Sequence, residues 1–163
     1  MKAVDIIPNK ILDIINLQKQ IAAWRVMGKS FAFTNGCFDI LHKGHIFSLS
    51  KAASEADYLI VAVNSDASVK KLRKGENRPI NDEQSRALLM ASLAIVDAVI
   101  IFNEDTPQQL IANLLPNVLV KGGDYTIDQI AGAKEVIAAG GRVVINDLLE
   151  GFSSTSIISK LGE

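Results

Sequence analysis

The stretch Phe31-Ala-Phe-Thr-Asn-Gly-Cys-Phe-Asp-Ile-Leu-His-Lys-Gly-His45 limits what this chain can become. An apolar strand, Phe31 to Phe33, runs into the polar turn Thr34-Asn35-Gly36. Asp39 follows, and His42-Lys43-Gly44-His45 opens a helix. Strand, glycine-containing loop and helix in that order build an anion site, because a helix N-terminus presents unpaired N–H groups and a partial positive charge. Gly36 and Gly44 let backbone approach a ligand with no Cβ in the way. His42 and His45 are the only histidines among 163 residues, and three-residue spacing lets both face one phosphate chain.

The rest of the chain repeats the alternation. Leu17, Ile21, Trp24 and Met27 recur at helical steps until Gly28, with Trp24 read as packing. Residues 44–55 form a helix with Ile46, Leu49, Ala52 and Ala53 inward. Tyr58 to Val63 is a short, branched, continuous apolar run, the pattern of a buried parallel strand. Asn64-Ser65-Asp66 then lies at its carboxyl end, the edge where open α/β sheets bind ligands. Lys70 to Gly75 is a basic loop, solvated or phosphate-contacting. Asn81 or Asp82 caps a helix that carries Arg86 and runs to about Leu93. Ala98 to Phe102 is a third strand, and Thr106-Pro107 opens a helix that Pro116 ends. Val118 to Val120 is a fourth strand, leading into Lys121-Gly122-Gly123-Asp124-Tyr125. Residues 133–139 form a helix closed by Gly140-Gly141. Arg142 to Ile145 is a fifth strand, and Ser153 to Ser156 open a terminal helix over 157–161. The expected fold is therefore α/β: one Rossmann-like domain of about five parallel strands with helices on both faces. Residues 1–28 form a helical cap on the domain of residues 29–163.

Composition narrows the function. A net charge of −1 gives no general attraction to nucleic acid or membrane surfaces, and no apolar run reaches spanning length. The single cysteine, Cys37, cannot form an intrachain disulfide, and no secretion signal opens the chain, so a cytoplasmic location is expected.

The run from Gly36 to His45 resembles the GxFDxxHxGH signature of the nucleotidylyltransferase superfamily. Val63 to Val69, Arg78-Pro79-Ile80-Asn81, Val118 to Tyr125, and Ile130 to Val136 with Gly140-Gly141 narrow the likeness. In this order they resemble the adenylyltransferases that make ADP-heptose from D-glycero-β-D-manno-heptose 1-phosphate. The likeness runs from about residue 29 to the C-terminus. In many bacteria this domain is fused behind a sugar kinase; here the kinase is expected to be a separate protein.

The resemblance implies transfer of AMP from ATP to a sugar 1-phosphate, and assigns roles. His42 and His45 bind the triphosphate and stabilise the transition state. Thr34, Gly36 and Phe38 line the nucleotide pocket, with Cys37 beside them and not acting as a nucleophile. Asp39 orients the loop or a metal-bound water, or is structural. Lys51 reaches phosphate or is simply solvated. Lys121, Gly122 and Asp124 meet the ribose or base, and Ser153, Ser154 and Thr155 clasp the distal phosphates. Asn64, Asp66 and Arg78 are assigned to the sugar phosphate. Magnesium is expected with ATP, held mainly by the nucleotide, and no protein metal ligand is named. Partners are small molecules, with pairing of two copies a further expectation. Glycerol-3-phosphate cytidylyltransferases carry an arginine where this chain has Leu148-Leu149-Glu150, which weighs against that branch. That branch, or a transferase for another sugar or polyol phosphate, stays the alternative, and a non-catalytic nucleotide-binding module is the second.

Overall fold

In a computed structural model, residues 4–72, 78–123, 125–149 and 151–161 are described. Five strands form one parallel sheet: β1 (Phe31–Gly36), β2 (Tyr58–Asn64), β3 (Ala98–Phe102), β4 (Val118–Gly122) and β5 (Arg142–Asn146). Their order across the sheet is β3-β2-β1-β4-β5. Chain progress thus reverses between β1 and β4, and a crevice opens at their carboxyl ends. Such a switch point is where open α/β sheets hold ligands.

Strand side chains alternate between two apolar layers, as a pleated strand requires. Phe31, Phe33, Ile60 and Ala62 face one layer, covered by α1 (Ile14–Val26), α5 (Gln108–Leu114) and α6 (Ala133–Ala138). Ala32, Leu59, Val61 and Val63 face the other, covered by α2 (Lys43–Ala53) and α4 (Glu83–Ser92). The central strands are buried on both faces, which is why their sequences read as unbroken apolar runs. Trp24 does pack: it is 4 % exposed and stacks on Tyr58 with ring centres 4.2 Å apart. The segment before β1 also joins the sheet edge, since Ile11 bridges Val99 and the Leu12 N–H donates to the Val99 carbonyl.

Several boundaries differ from expectation. Helix α1 begins at Ile14, capped by the Asp13 carboxylate on the Asn16 N–H, before the apolar periodicity starts. Ile46 points outward on α2, where Leu49 and Ala52 are the buried positions. The front of the stretch expected as a basic loop belongs to a helix, α3 (Asp66–Lys71), capped by Ser65 on the Ser68 N–H. Six residues are too short to display a period, so the cap was its only sequence signal. Arg73, Lys74 and Gly75 of that stretch lie outside the described residues. Helix α7 starts at Ser154, so the hydroxyl run enters its first turn instead of preceding it. Among the described residues, no helix is long and apolar enough to cross a membrane.

Candidate active site

The crevice is an open cleft of about 540 Å³. Its floor is the end of β1 and the signature loop, Thr34 through Asp39. Its walls are the start of α2, the end of β4 and the segment leading into α7.

The signature builds this cleft side chain by side chain. A Cβ on Gly36 would lie 3.0 Å from the Phe38 ring, so only glycine lets that ring fold back beneath the turn. Phe38 itself takes φ +49°, a left-handed conformation uncommon for an aromatic residue and typical of strained functional loops. Its ring stands edge-on to His45, at 5.4 Å and 65°. His45 in turn stacks on His42 at 3.9 Å and 25°. His42 occupies the N-cap of α2 and His45 its first turn, where helical spacing superposes them. Among the described residues, His42 Nδ1 is buried with no hydrogen-bond partner, and burial lowers this imidazole's pKa below its ordinary 6.5. The side chain enters neutral at pH 7 and retains an unspent polar atom in a cleft lined by backbone N–H groups.

Asp39 does not face solvent. It is fully buried; one oxygen accepts from Arg78 Nε at 2.9 Å, and the other accepts the N–H groups of Ile80 and Asn81 at 2.8 and 2.9 Å. Asn81 returns a side-chain hydrogen bond to the Asp39 carbonyl. The structural alternative for Asp39 therefore fits its surroundings, and its partner Arg78 lines the same cleft. Arg86, to which the sequence gave no role, is fully buried and donates to the carbonyls of Cys37 and Asn81 and to Asp66. Only a buried cation with three directed donors could be read this way, and an arginine in an amphipathic helix gives no such sign.

Other expected residues separate by location. Thr34, Gly36, Cys37, Lys121, Gly122, Ser153 and Ser154 line the cleft with the two histidines. Lys121 Nζ lies 3.2 Å from Asn35 Oδ1 and over the Tyr125 ring. Ser153 Oγ accepts from the Ser156 N–H, and Ser154 Oγ donates to the Ile40 carbonyl, tying α7 to the signature loop. Lys51 is not brought in: it is exposed on α2, set over Phe47. Asp66 stands outside the cleft lining, paired with Arg86 at 2.7 Å, and Asn64 is buried at the end of β2, donating to Ser68 Oγ. Asp124 and the Thr155 side chain lie outside the described residues. Leu148, Leu149 and Phe152 complete one wall; their sequence signal was only the missing arginine.

Comparison with known proteins places this geometry. A family model described as cytidylyltransferase-like matches residues 33–160, which is most of the chain and contains the whole signature. The chain belongs to the cytidylyltransferase-like family. Among its curated relatives, the bifunctional protein HldE of Mesorhizobium japonicum is 55 % identical over 151 residues, covering 93 % of this chain and 30 % of the relative. The HldE protein of Rhodospirillum rubrum is 50 % identical over 153 residues, covering 94 % of this chain and 31 % of that one. The chain thus spans about a third of the length of these relatives. This cytidylyltransferase-like fold also matches a crystal structure of the lipopolysaccharide core biosynthesis protein from Thermoplasma volcanium, with a TM-score of 0.61 and 29 % identity over 75 % of this chain and 98 % of that one. A pantoate-beta-alanine ligase from Francisella tularensis shares the fold, with a TM-score of 0.58 at 17 % identity, over 94 % of this chain and 79 % of that one.

Proposed function

We propose that this chain transfers AMP from ATP to D-glycero-β-D-manno-heptose 1-phosphate, giving ADP-heptose and pyrophosphate for lipopolysaccharide core synthesis. The observation that carries the reading is the stacked His42–His45 pair, set at the N-terminus of α2 in a cleft shared with Lys121, Ser153 and Ser154. The high identity to HldE proteins and the described role of the Thermoplasma structure point to the same pathway.

In this reaction a phosphate oxygen of the sugar attacks the α-phosphorus of ATP in line. The new P–O bond forms as the bond from the α-phosphorus to the bridging oxygen breaks, and pyrophosphate leaves with the electron pair. The attacking phosphate is already an anion near neutral pH, so no general base is required. Catalysis is then positioning and charge stabilisation. His42 and His45 contact the crowded α-phosphorus and the leaving phosphates, with His45 the first choice for the transition-state contact. The backbone from Thr34 to Phe38 cradles the nucleotide. The N-termini of α2 and α7 both open on the cleft and favour the distal phosphates. Leu148 and Leu149 offer an apolar wall to a flat base.

Magnesium supplies charge neutralisation when it arrives with ATP. Among the described residues no group of three histidine, cysteine or carboxylate side chains could hold a metal ion, and Asp39 is committed to Arg78 and two backbone amides. The donor set does not fit a resident ion, which travels instead with the nucleotide.

The test is pyrophosphate release with ATP and CTP crossed against heptose 1-phosphate and glycerol 3-phosphate. Turnover confined to ATP with the heptose is the expected result. Turnover with CTP and glycerol phosphate would keep the histidine chemistry and replace both substrates. ATP binding with no pyrophosphate release from any acceptor would favour a nucleotide-binding module.

A further inference from the structure

A second hollow of about 290 Å³ adjoins the first. The two share Asn35, Gly36, Cys37, Lys121 and Tyr125, so they meet along the end of β1 and β4. Their chemistry differs. The first holds both imidazoles and the serines of α7. The second runs toward the ends of β2 and β3, where Asn64, Asp105, Thr106 and Gln129 supply its polar groups. Among the described residues lining it, Lys121 is the one cation, and it stands on the shared wall.

That lining does not suit a polyanion. Asp105 contributes negative charge and already pairs with Lys71 at 2.7 Å. Amides and a hydroxyl, able both to donate and to accept, suit a ligand carrying several hydroxyls. Two of these groups are fixed in advance. Asn64 is 4 % exposed, and its Nδ2 donates to Ser68 Oγ at 2.9 Å. Gln129 Oε1 accepts the Thr126 N–H at 2.9 Å, which turns its Nε2 into the donor that a ligand can use. A hollow of this size, near the lower end for small-molecule sites, fits a single sugar and not a nucleotide.

We propose that this hollow is the acceptor lobe: the sugar ring lies against Asn64, Thr106 and Gln129, and its 1-phosphate meets Lys121 where the lobes join. The inference rests on the functional reading above and deepens it. It places the attacking phosphate at the junction, next to the lobe whose histidines receive the α-phosphorus. It also moves acceptor recognition away from Asp66, which Arg86 neutralises, and from Arg78, which lines only the first lobe and is bound to Asp39.

The experiment compares Thr106→Val and Gln129→Glu with the unmodified chain, measuring KM for heptose 1-phosphate and for ATP, and the ATP Kd by calorimetry without acceptor. Both positions are exposed, and glutamate keeps the oxygen that accepts the Thr126 N–H while placing a negative charge toward the phosphate. The expected result is a rise of about tenfold or more in acceptor KM, as when a hydrogen bond to a substrate hydroxyl is lost, with ATP KM and Kd within about twofold. An unchanged ATP Kd also certifies the fold. A rise in ATP KM with acceptor KM unchanged assigns the hollow to the nucleotide and overturns the proposal. Unchanged acceptor KM in both variants does the same. Failure of the unmodified chain to turn over any sugar 1-phosphate defeats the functional reading itself, and this inference with it.

Discussion

Arg86 Nη1 donates to the carbonyl oxygen of Cys37 at 2.7 Å, from a side chain with no exposure to solvent. Its Nε holds the Asn81 carbonyl at 2.9 Å and its Nη2 holds Asp66 Oδ1 at 2.7 Å. One guanidinium thus joins the signature loop, the entry to α4 and the exit from β2. Nothing in that cluster faces the reacting atoms, yet the loop beneath the histidines takes its shape from it.

Replacing Arg86 with methionine is expected to destabilise the fold by about 3 kcal/mol. Breaking a buried ion pair costs roughly 3–5 kcal/mol, and partly exposed Asp66 can recover some solvation, which favours the lower figure. Arg86→Lys keeps the charge but lacks the planar fork that reaches three acceptors, so it should fall between. Denaturant titration decides the matter: a loss for Arg86→Met below about 1 kcal/mol would remove Arg86 from the framework.

His45→Ala should leave the unfolding midpoint nearly unchanged, because the ring is only half buried. Turnover should fall by about a hundredfold or more, the usual loss when a donor to developing charge is removed. Steady-state pyrophosphate release beside a thermal melt checks both halves. A near-normal rate would end its assignment to the transition state.

Protonation of His42 should couple to ATP binding. Burial holds its pKa below 6.5 in the empty cleft, so the ring is neutral at pH 7. A triphosphate beside it favours the charged form and raises that pKa. ATP binding just above the empty-site pKa therefore takes up to about one proton, and affinity weakens as pH rises through the pKa of the complex. The sign for stability runs the other way. A depressed pKa gives a contribution that is present above 6.5 and lost as pH falls through the folded value. Calorimetry in two buffers of different ionisation enthalpy measures the uptake, and His42→Ala should abolish it.

Gly44→Ala separates stability from activity. Alanine within a helix is favoured over glycine by roughly 0.5–1 kcal/mol. The added Cβ would lie 3.0 Å from the His42 ring and 3.1 Å from Phe152 Cβ, so both must give way. Stability should change by less than about 1 kcal/mol, since gain and crowding oppose each other. Turnover should drop about tenfold, because a displaced imidazole loses its alignment. Equal losses in melting temperature and in rate would contradict this.

The sequence carried the layer architecture well, because strands buried on both faces announce themselves as unbroken branched runs, as Tyr58 to Val63 does. It also carried the histidine cleft, since helical spacing alone stacks His42 on His45. Contacts between distant segments were not legible in it. Asp66 looked like a ligand contact at a strand end because its partner, Arg86, is twenty residues away. Lys51 looked close to the signature because it comes soon after it in the chain, but α2 turns that face outward. Ile46 was placed inward by period, although the buried stripe of α2 is centred on Leu49 and Ala52. The second hollow had no linear signal, since its lining comes from the ends of three strands and from the segments beyond β3 and β4.

Asp39 owes its fixed geometry to a remote part of the chain. Its partners Arg78, Ile80 and Asn81 lie about forty residues further along. A peptide of residues 29–56 would contain every letter of the signature and lack every one of those partners. It should bind ATP no better than an unstructured chain of the same charge. Adding the complementary fragment of residues 57–163 should restore binding only as the two halves of the sheet reassemble. The motif is a local text whose meaning is supplied from elsewhere in the molecule, so nucleotide affinity can serve as a reporter of global folding.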